Sequence, residues 1–297
     1  MFYHNPVMLQ ESVKLLITNK NGIYVDATFG CGGHSLEILK QLDTQSILIA
    51  LDQDNESIKN NFIKDKRLHL FHDNFINIKQ ILKKININKI SGLLVDLGFS
   101  SFQLNNPSRG FSHQVNGILD MRMNQTIHYS ALDVINKSSE KKLFYIFSKY
   151  GEFNNPMKIV KKILKFRLKQ PIITTYDLIN LFFLKKSSFH QRKRFLSKLF
   201  QAIRIEVNNE IQCLQTLLIE SSNIILPGGR ISFISYHSIE DRIIKYFIKQ
   251  GKLNNIKINN IIPPFKMIHN KVITPNIEEM KCNPKSRSAK LRVAEKI

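Results

Sequence analysis

The chain has 297 residues, 43% of them hydrophobic, which is enough for one large domain or two modest ones with a buried core. Its 44 lysines and arginines stand against 23 aspartates and glutamates, a formal net charge of +21 at pH 7. This excess favours nucleic acid or another polyanion as a partner, although codon bias in an AT-rich genome also enriches lysine.

The three cysteines, Cys31, Cys213 and Cys282, lack the spacing of a metal site. We therefore expect free thiols in a reducing cytoplasm and no bound metal. The first residues lack a signal-peptide pattern, and no apolar run approaches the roughly 18 residues of a membrane helix. The sequence thus predicts a cytoplasmic protein without a membrane partner.

A strand, a glycine-rich turn and a helix are predicted near the amino terminus, after a short amphipathic helix. Residues 23–26 alternate as in a strand, three glycines lie within residues 30–33, and residues 35–42 carry leucines at helical spacing. This order is typical of the nucleotide-binding corner of a doubly wound α/β sheet. Asp26 precedes the first glycine by four residues, which resembles the first motif of S-adenosylmethionine-dependent methyltransferases, where a carboxylate suits a cationic cofactor. This stretch alone leaves a methyltransferase, a nicotinamide dehydrogenase and a purely structural turn open.

Three further strands are predicted to end at Asp52, shortly before Phe75, and at Asp96, the first of them a continuous apolar run suited to a buried parallel strand. Asp52 lies about twenty residues beyond the glycines, where a carboxylate can accept hydrogen bonds from ribose hydroxyls. Phe75 is expected either to face an adenine or to begin the next helix as a core residue. Because ligands bind at the carboxyl ends of parallel strands, we expect Asp26, Asp52 and Asp96 to lie at one edge of the sheet.

Residues 131–200 change to helical periodicity and carry 16 lysines and arginines against 4 aspartates and glutamates, a net +12. Pro156 is placed in the first turn of one helix, and Thr174 or Thr175 caps another that runs to Leu184. Codon bias would spread the charge evenly, so we interpret this region as a helical insertion that contacts RNA phosphates. A solvated helix face is the alternative.

The α/β pattern returns at Gln201 with one long helix predicted over residues 201–220. A buried strand follows at residues 231–236 and a last strand at residues 290–295. His237 comes directly after the first of these, at another carboxyl end. The sequence therefore predicts one parallel α/β sheet interrupted by a helical insertion.

Motifs spread over nearly the whole chain resemble those of the ribosomal RNA small subunit methyltransferase H family. They are residues 4–9, 24–35, 96–101, 109–112 with 119–123, 200–204, 235–242 and 283–292. The resemblance implies a Rossmann-like S-adenosylmethionine-dependent methyltransferase sheet with an all-helical insertion. We assign residues 1–112 and 201–297 to the methyltransferase domain and residues 113–200 to the RNA-contacting insertion.

The family methylates the exocyclic N4 of a cytidine in the decoding centre of 16S ribosomal RNA, so the resemblance implies this activity and a substrate within the small ribosomal subunit. It also implies a set of residues that bind S-adenosylmethionine: Gly32, Gly33, His34, Asp52, Phe75, Asp96 and Gln103. Of these, His34 and Gln103 rest on the resemblance alone. The chain departs from the family at Ile118, Asn124 and Phe153, none of them in this set.

Catalytic roles are left open by the sequence, with Asp96 and His237 as the candidates. Asp96 can serve either the cofactor or the target amine, and Phe99 and Phe111 can either stack on an unstacked base or belong to the core. A dehydrogenase, a non-catalytic RNA-binding assembly factor and a DNA amino-methyltransferase are the competing functions. The oligomeric state, including a homodimer, is also open.

Overall fold

The computed structural model describes residues 5–182, 188–253, 256–257 and 263–297. His4 of the first motif, and the end of the helix predicted to run to Leu184, lie outside the described residues. The chain divides into two compact units, one formed by Met1–Gly98 with Ile211–Ile297 and the other by Phe99–Glu210.

The amino-terminal part of the first unit alternates strands and helices. Its elements are α1 (Leu9–Leu16), β1 (Ile23–Asp26), α2 (Gly33–Gln41), β2 (Ile47–Asp52), α3 (Asn55–Lys59), β3 (Leu68–His72), α4 (Ile78–Lys84) and β4 (Ile90–Asp96). Asp54 caps α3 by accepting a 3.1 Å hydrogen bond from the backbone N–H of Glu56, because a short polar side chain satisfies the first free amides of a helix.

The second unit is helical throughout its named elements. These are α5 (Ser101–Asn105), α6 (Ala131–Lys137), α7 (Glu140–Lys149), α8 (Pro156–Arg167), α9 (Thr175–Asn180) and α10 (Phe189–Asn208). Pro156 begins α8, as predicted, and Thr174 caps α9 in a capping box with Asp177.

The chain then returns to the first unit. The elements there are α11 (Glu210–Ile224), β5 (Ile225–Ser235), α12 (Ser238–Gln250), β6 (Lys252–Leu253), β7 (Ile256–Lys257), β8 (Phe265–Met267), α13 (Ile277–Cys282) and β9 (Lys290–Lys296). The single helix predicted over residues 201–220 is wrong. Asn209 adopts a left-handed conformation with φ 52° and separates α10 from α11, a backbone geometry that asparagine tolerates better than most residues.

Within the described residues, the main sheet has seven strands in the order β3-β2-β1-β4-β5-β9-β8. Strands β1 to β5 are parallel, whereas β9 runs antiparallel to both β5 and β8. Residues 48–51 of β2 are fully buried, as expected for a parallel strand covered on both faces. The order reverses between β1 and β4, which is where doubly wound sheets bind ligands. The predicted Rossmann-like sheet is confirmed.

The second unit has its own core, which extends beyond the predicted insertion of residues 113–200. Phe111, which precedes the predicted range, lies in this core, and so do Ile203 and Val207 of α10, which follow it. Arg109 is fully buried and donates hydrogen bonds to the carbonyls of Arg122 and Met123. Residues 99–112 and 201–210 therefore belong structurally to the helical unit, because their apolar side chains pack there.

Two of the motifs that carry the resemblance meet backbone to backbone in this unit. A Cβ at Gly110, where φ is +68°, would lie 2.2 Å from the carbonyl oxygen of Ile118, so only glycine fits. Asn208 accepts from the N–H of Met123 at 2.7 Å and donates to the carbonyl of Met121 at 2.8 Å. The motifs at residues 109–112 and 119–123 thus form a folded loop held by α10.

None of the helices in the described ranges combines the length and apolarity that a membrane span requires.

Candidate active site

The parallel strands bring three carboxylates to one edge of the sheet. Asp26, Asp52 and Asp96 each end a strand, and β1 pairs with both β2 and β4. The loop after β1 connects them, since Thr28 Oγ1 accepts from the N–H of Asp96 at 2.7 Å and the N–H of Gly30 donates to Asp52 Oδ2 at 2.7 Å. The expectation that these acids lie together is met in the first unit.

The glycine turn between β1 and α2 has two residues with positive φ, Gly30 at +54° and Gly32 at +77°. At Gly30 the nearest atom to an added Cβ would be 3.9 Å away, so the turn is open on that side. An added Cβ at Gly32 would lie 2.9 Å from the ring of Phe29, and one at Gly33 would lie 2.2 Å from Cγ of Pro6. The three glycines therefore serve different needs: backbone conformation, turn packing and close approach of the amino-terminal segment.

Asp26 is fully buried and has internal partners. Its Oδ2 accepts from the Ser35 hydroxyl at 2.7 Å and its Oδ1 from the N–H of Thr28 at 3.1 Å. Burial raises the pKa of this carboxyl, and the nearby His34 opposes that rise. The interpretation of Asp26 as a partner for a cationic cofactor is therefore weakened, because its hydrogen bonds join β1 to α2 instead.

Asp52 holds the turn and retains capacity to accept a further hydrogen bond. Its two oxygens accept from the N–H groups of Gly30 and Asp54 at 2.7 and 2.8 Å. The side chain of Ser57 is a third hydrogen-bond partner of this carboxylate. A carboxylate has about four lone-pair sites, so about one remains for a further donor. Burial raises the pKa of Asp52 to about 6, against the lowering effect of these two backbone bonds.

The amino-terminal motif packs over the turn and is held there by the carboxyl-terminal part of the chain. His34 Nε2 lies 3.1 Å from the carbonyl oxygen of Val7. The N–H of Met8 donates to Glu279 Oε1 at 2.7 Å, and Asn283 Nδ2 donates to the carbonyl of Asn5 at 2.9 Å. The motifs that begin and end the chain thus converge on the glycine turn.

The ends of β2 and β3 are joined by side chains. Asn74 Nδ2 donates to Gln53 Oε1 at 2.7 Å, and the Asn74 carbonyl oxygen of the side chain caps the short 3-10 helix Phe75–Asn77. Phe75 is half-buried and packs partly against the main core. It therefore begins a helical turn, as one expectation stated, and its side chain is only half-buried beside the strand ends. That it faces an adenine stays a prediction.

Tyr236, which the sequence analysis did not select, is the hydrogen-bond partner of Asp96. Burial, together with the adjacent Asp96 carboxylate, raises the pKa of the Tyr236 hydroxyl well above its usual range. The protonated hydroxyl donates to Asp96, whose Oδ1 also accepts from the N–H of Gly98 at 3.1 Å. A Cβ at Gly98 would lie 2.9 Å from the Tyr236 ring, so the glycine lets the two strand ends approach.

His237 is engaged in the start of α12. Its Nδ1 accepts from the N–H of Glu240 at 3.3 Å, and its Nε2 lies 3.0 Å from Glu240 Oε1 but outside hydrogen-bonding geometry. Glu240 in turn accepts from the N–H of Tyr236 at 2.9 Å. The histidine therefore caps α12 through Nδ1, and a catalytic role for it stays a prediction.

Gln103, Phe99 and Phe111 belong to the second unit. Gln103 closes a capping box at the start of α5, where its Oε1 accepts from the N–H of Ser100 at 3.0 Å. Phe111 lies in the core, and its ring centroid is 6.4 Å from that of Phe99. The guanidinium of Arg204 lies 4.9 Å from the Phe99 ring centroid. Of the two proposed stacking residues, Phe111 is therefore a core residue.

The whole chain, residues 1–297, matches the model of the MraW methylase family. The chain belongs to this family. Three relatives called ribosomal RNA small subunit methyltransferase H are similar over their full length. The protein of Karelsulcia muelleri (strain GWSS) is 48% identical, covering 99% of this chain and 98% of the relative. That of Azobacteroides pseudotrichonymphae is 43% identical, covering 100% and 98%, and that of Christiangramia forsetii is 44% identical, covering 100% and 99%.

In this MraW methylase the carboxylates of Asp52 and Asp96 lie at the carboxyl edge of the sheet, beside the glycine turn. Backbone hydrogen bonds fix the orientation of both groups. Sequence patterns found the acids because each ends an apolar run. The sequence did not indicate a role for Tyr236, which is predicted as the last residue of a strand. It did not indicate one for Glu279, which lies in a segment without clear periodicity. Their partners, Asp96 and Met8, are distant in sequence, so only the fold joins them.

Proposed function

We propose that this methylase transfers a methyl group to the exocyclic N4 of a cytidine in the decoding centre of 16S ribosomal RNA, within the small ribosomal subunit. Its cofactor is S-adenosylmethionine. The observation that carries the proposal is full-length similarity, up to 48% identity, to proteins named for methylation of small-subunit ribosomal RNA. The basic helical region, residues 113–200, is proposed to contact the RNA.

The residues at the carboxyl edge fit the cofactor. Asp52 can accept from a ribose hydroxyl with its remaining lone pair. Helix α2 has no side-chain cap at its amino end, so the first-turn amides of Gly33 and His34 are donors without an intrahelical acceptor, whereas the N–H of Gly32 donates to the carbonyl of Phe29 at 2.7 Å. Phe75 offers an exposed part of its ring to the adenine. We keep Asp96 and Gln103 as further proposed cofactor contacts.

Asp96 is also placed to act on the target amine. When bound, the cofactor supplies an electrophilic methyl group on a sulfonium. Cytosine N4 is a weak nucleophile because its lone pair is delocalised into the ring, so the enzyme must orient it. The Asp96 carboxylate, fixed by Tyr236 and Gly98, can accept one amino hydrogen, which directs the nitrogen lone pair and favours loss of the proton as the N–C bond forms.

The proposal is tested by methyl transfer from radiolabelled S-adenosylmethionine. Small ribosomal subunits from a strain lacking this activity, protein-free 16S RNA and DNA are compared as substrates. We expect label in the ribosomal RNA and none in DNA. Transfer to DNA alone would instead identify a DNA amino-methyltransferase, and cofactor binding without any transfer to RNA would contradict the proposed substrate.

Cofactor affinity should fall below about pH 6, where Asp52 becomes protonated. A ribose hydroxyl donates to the ionised carboxylate, so the complex with the cofactor favours ionised Asp52. Below pH 6 the free protein carries a protonated Asp52, which must lose its proton before the cofactor binds. The dissociation constant measured by calorimetry should rise towards tenfold for each pH unit below 6. In Asp52→Asn the affinity should be weaker at pH 7 and nearly constant between pH 7 and 5. An equal pH dependence in both proteins would contradict the role of Asp52.

A further inference from the structure

The basic side chains of helix α8 in the helical unit have two kinds of surroundings. Lys162 Nζ donates to the carbonyl of Leu181 at 3.1 Å and lies 5.6 Å from the Phe182 ring centroid. Arg167 donates to the carbonyl of Ile135 at 3.0 Å. These two side chains therefore stabilise the unit itself.

The remaining basic residues of α8 are lysines exposed to solvent. Lys158, Lys161 and Lys165 are exposed at steps of three and four residues, and Lys169 continues the line in the turn that follows the helix. We call these four residues the lysine stripe. The three helical members span roughly 10 Å along the axis at a rise of about 1.5 Å per residue. In the part of the chain that the structure describes, none of the four has a carboxylate within ion-pair distance.

The lysine stripe is unfavourable for the isolated helix. Residues 156–170 contain no aspartate or glutamate, so like charges face each other at helical spacing without compensation. Lys158 also lies in the first turn, close to the positive end of the helix dipole. A polyanionic partner would convert this repulsion into attraction.

Codon bias does not account for this arrangement, because other helices of the same chain differ. Helix α11 contains two glutamates and no lysine or arginine. Helix α12 mixes acidic and basic residues, and its Asp241 accepts from Lys290 and Arg292 at 3.2 and 2.7 Å. Helix α4 also lacks acidic residues, but its Lys79 pairs with Glu220 at 3.7 Å. An unpaired line of exposed lysines at steps of three and four residues therefore distinguishes α8 from α4, α11 and α12.

We propose that the lysine stripe holds the phosphate backbone of the ribosomal RNA substrate, an inference that rests on the proposed function. Lysine ammonium groups on flexible stems contact phosphates as point charges and read no base sequence. Their role is to set the position of the RNA strand on the helical unit, while the choice of cytidine depends on the active site.

The test replaces all four lysines by glutamine, K158Q/K161Q/K165Q/K169Q, beside a matched control that removes the same charge from the other unit. The control is K83Q/K84Q/K245Q/K249Q, whose lysines are all exposed on α4 and α12. The readouts are KM and kcat for methylation of small subunits, binding of a 16S RNA fragment at several salt concentrations, and calorimetric binding of S-adenosylmethionine.

The stripe variant should bind the RNA fragment roughly 100-fold more weakly near 0.15 M salt, and its salt slope should fall by about 3, since each phosphate contact contributes about 0.7–0.9. KM should rise while kcat at saturation and cofactor affinity stay unchanged. The control should change RNA affinity severalfold less. Equal effects of the two variants would show a general charge effect and overturn the inference.

Three further outcomes separate the inference from the function on which it rests. If the parent methylates ribosomal RNA and the stripe variant has the same KM and RNA affinity, only the role of the stripe is overturned. The same follows if subunit binding weakens while RNA binding is unchanged, since the partner would then be an acidic protein. If the parent methylates no ribosomal RNA, both proposals fail.

Discussion

Asp96→Ala is expected to lower kcat/KM for methyl transfer by about 10²–10⁴-fold, the range typical of a positioned proton acceptor. Asp96 ends β4 and accepts from Tyr236 and from the N–H of Gly98, so its carboxylate has one fixed orientation at the carboxyl edge. The variant removes the only group at this strand end that we propose to contact the amine. Activity is measured with small subunits as substrate.

The same variant distinguishes the two roles left open for Asp96. If the carboxylate serves the amine, the calorimetric affinity for S-adenosylmethionine stays near that of the parent while kcat falls. If it serves the cofactor, the dissociation constant rises together with the loss of activity. Asp65→Ala is the control, since Asp65 pairs with Arg67 at 2.6 Å on the surface and such pairs contribute about 0–1 kcal/mol. Parental kcat/KM in Asp96→Ala would contradict both roles.

Gly33→Ala is expected to weaken cofactor binding at least tenfold and to lower the melting temperature. The added Cβ would lie 2.2 Å from Cγ of Pro6, and a proline ring cannot rotate away. Either the amino-terminal segment or the start of α2 must move, and both adjoin the glycine turn. Calorimetry with S-adenosylmethionine and thermal unfolding measure the two effects.

A second substitution tests whether this contact is the cause. Pro6→Ala removes Cγ and leaves Cβ, which would lie 3.4 Å from the new methyl group, an ordinary contact distance. The double variant G33A/P6A should therefore recover most of the affinity lost in Gly33→Ala. Gly228→Ala is the control for cofactor binding, because nothing lies within 4 Å of its added Cβ and it is outside the turn. Its φ of +76° strains an alanine there, so this variant should lower the melting temperature without changing the affinity for S-adenosylmethionine. No recovery in the double variant would show that Gly33 acts differently.

The sequence predicted the sheet well because its signals are local. Each parallel strand is a short apolar run that ends at a polar residue, and Asp52 and Asp96 stand at these ends. The break at Asn209 was not predicted, because apolar residues continue at helical spacing on both sides of it. The bounds of the helical unit were placed too narrowly, since the membership of Phe111 and Val207 depends on packing and not on periodicity.

In the candidate site, too, contacts between residues distant in sequence could not be predicted from local patterns. Glycines and strand-end acids could be selected from pattern, but their different roles could not. Asp26 and Asp52 both end a predicted strand. In the structure Asp26 accepts hydrogen bonds from Ser35 and Thr28 inside the protein, whereas Asp52 can still accept a further hydrogen bond. The partners that decide such differences lie far away in the chain, as Glu279 does from Met8.

The most direct test of the central claim is the identity of the methylated nucleoside. Small subunits from a strain lacking the activity are incubated with the protein and S-adenosylmethionine, and the 16S RNA is digested and analysed by mass spectrometry with fragmentation of the base. We predict one new N4-methylated cytidine, located in a fragment from the decoding centre. A methyl group on cytosine C5, on another base or on the ribose would contradict the proposed reaction.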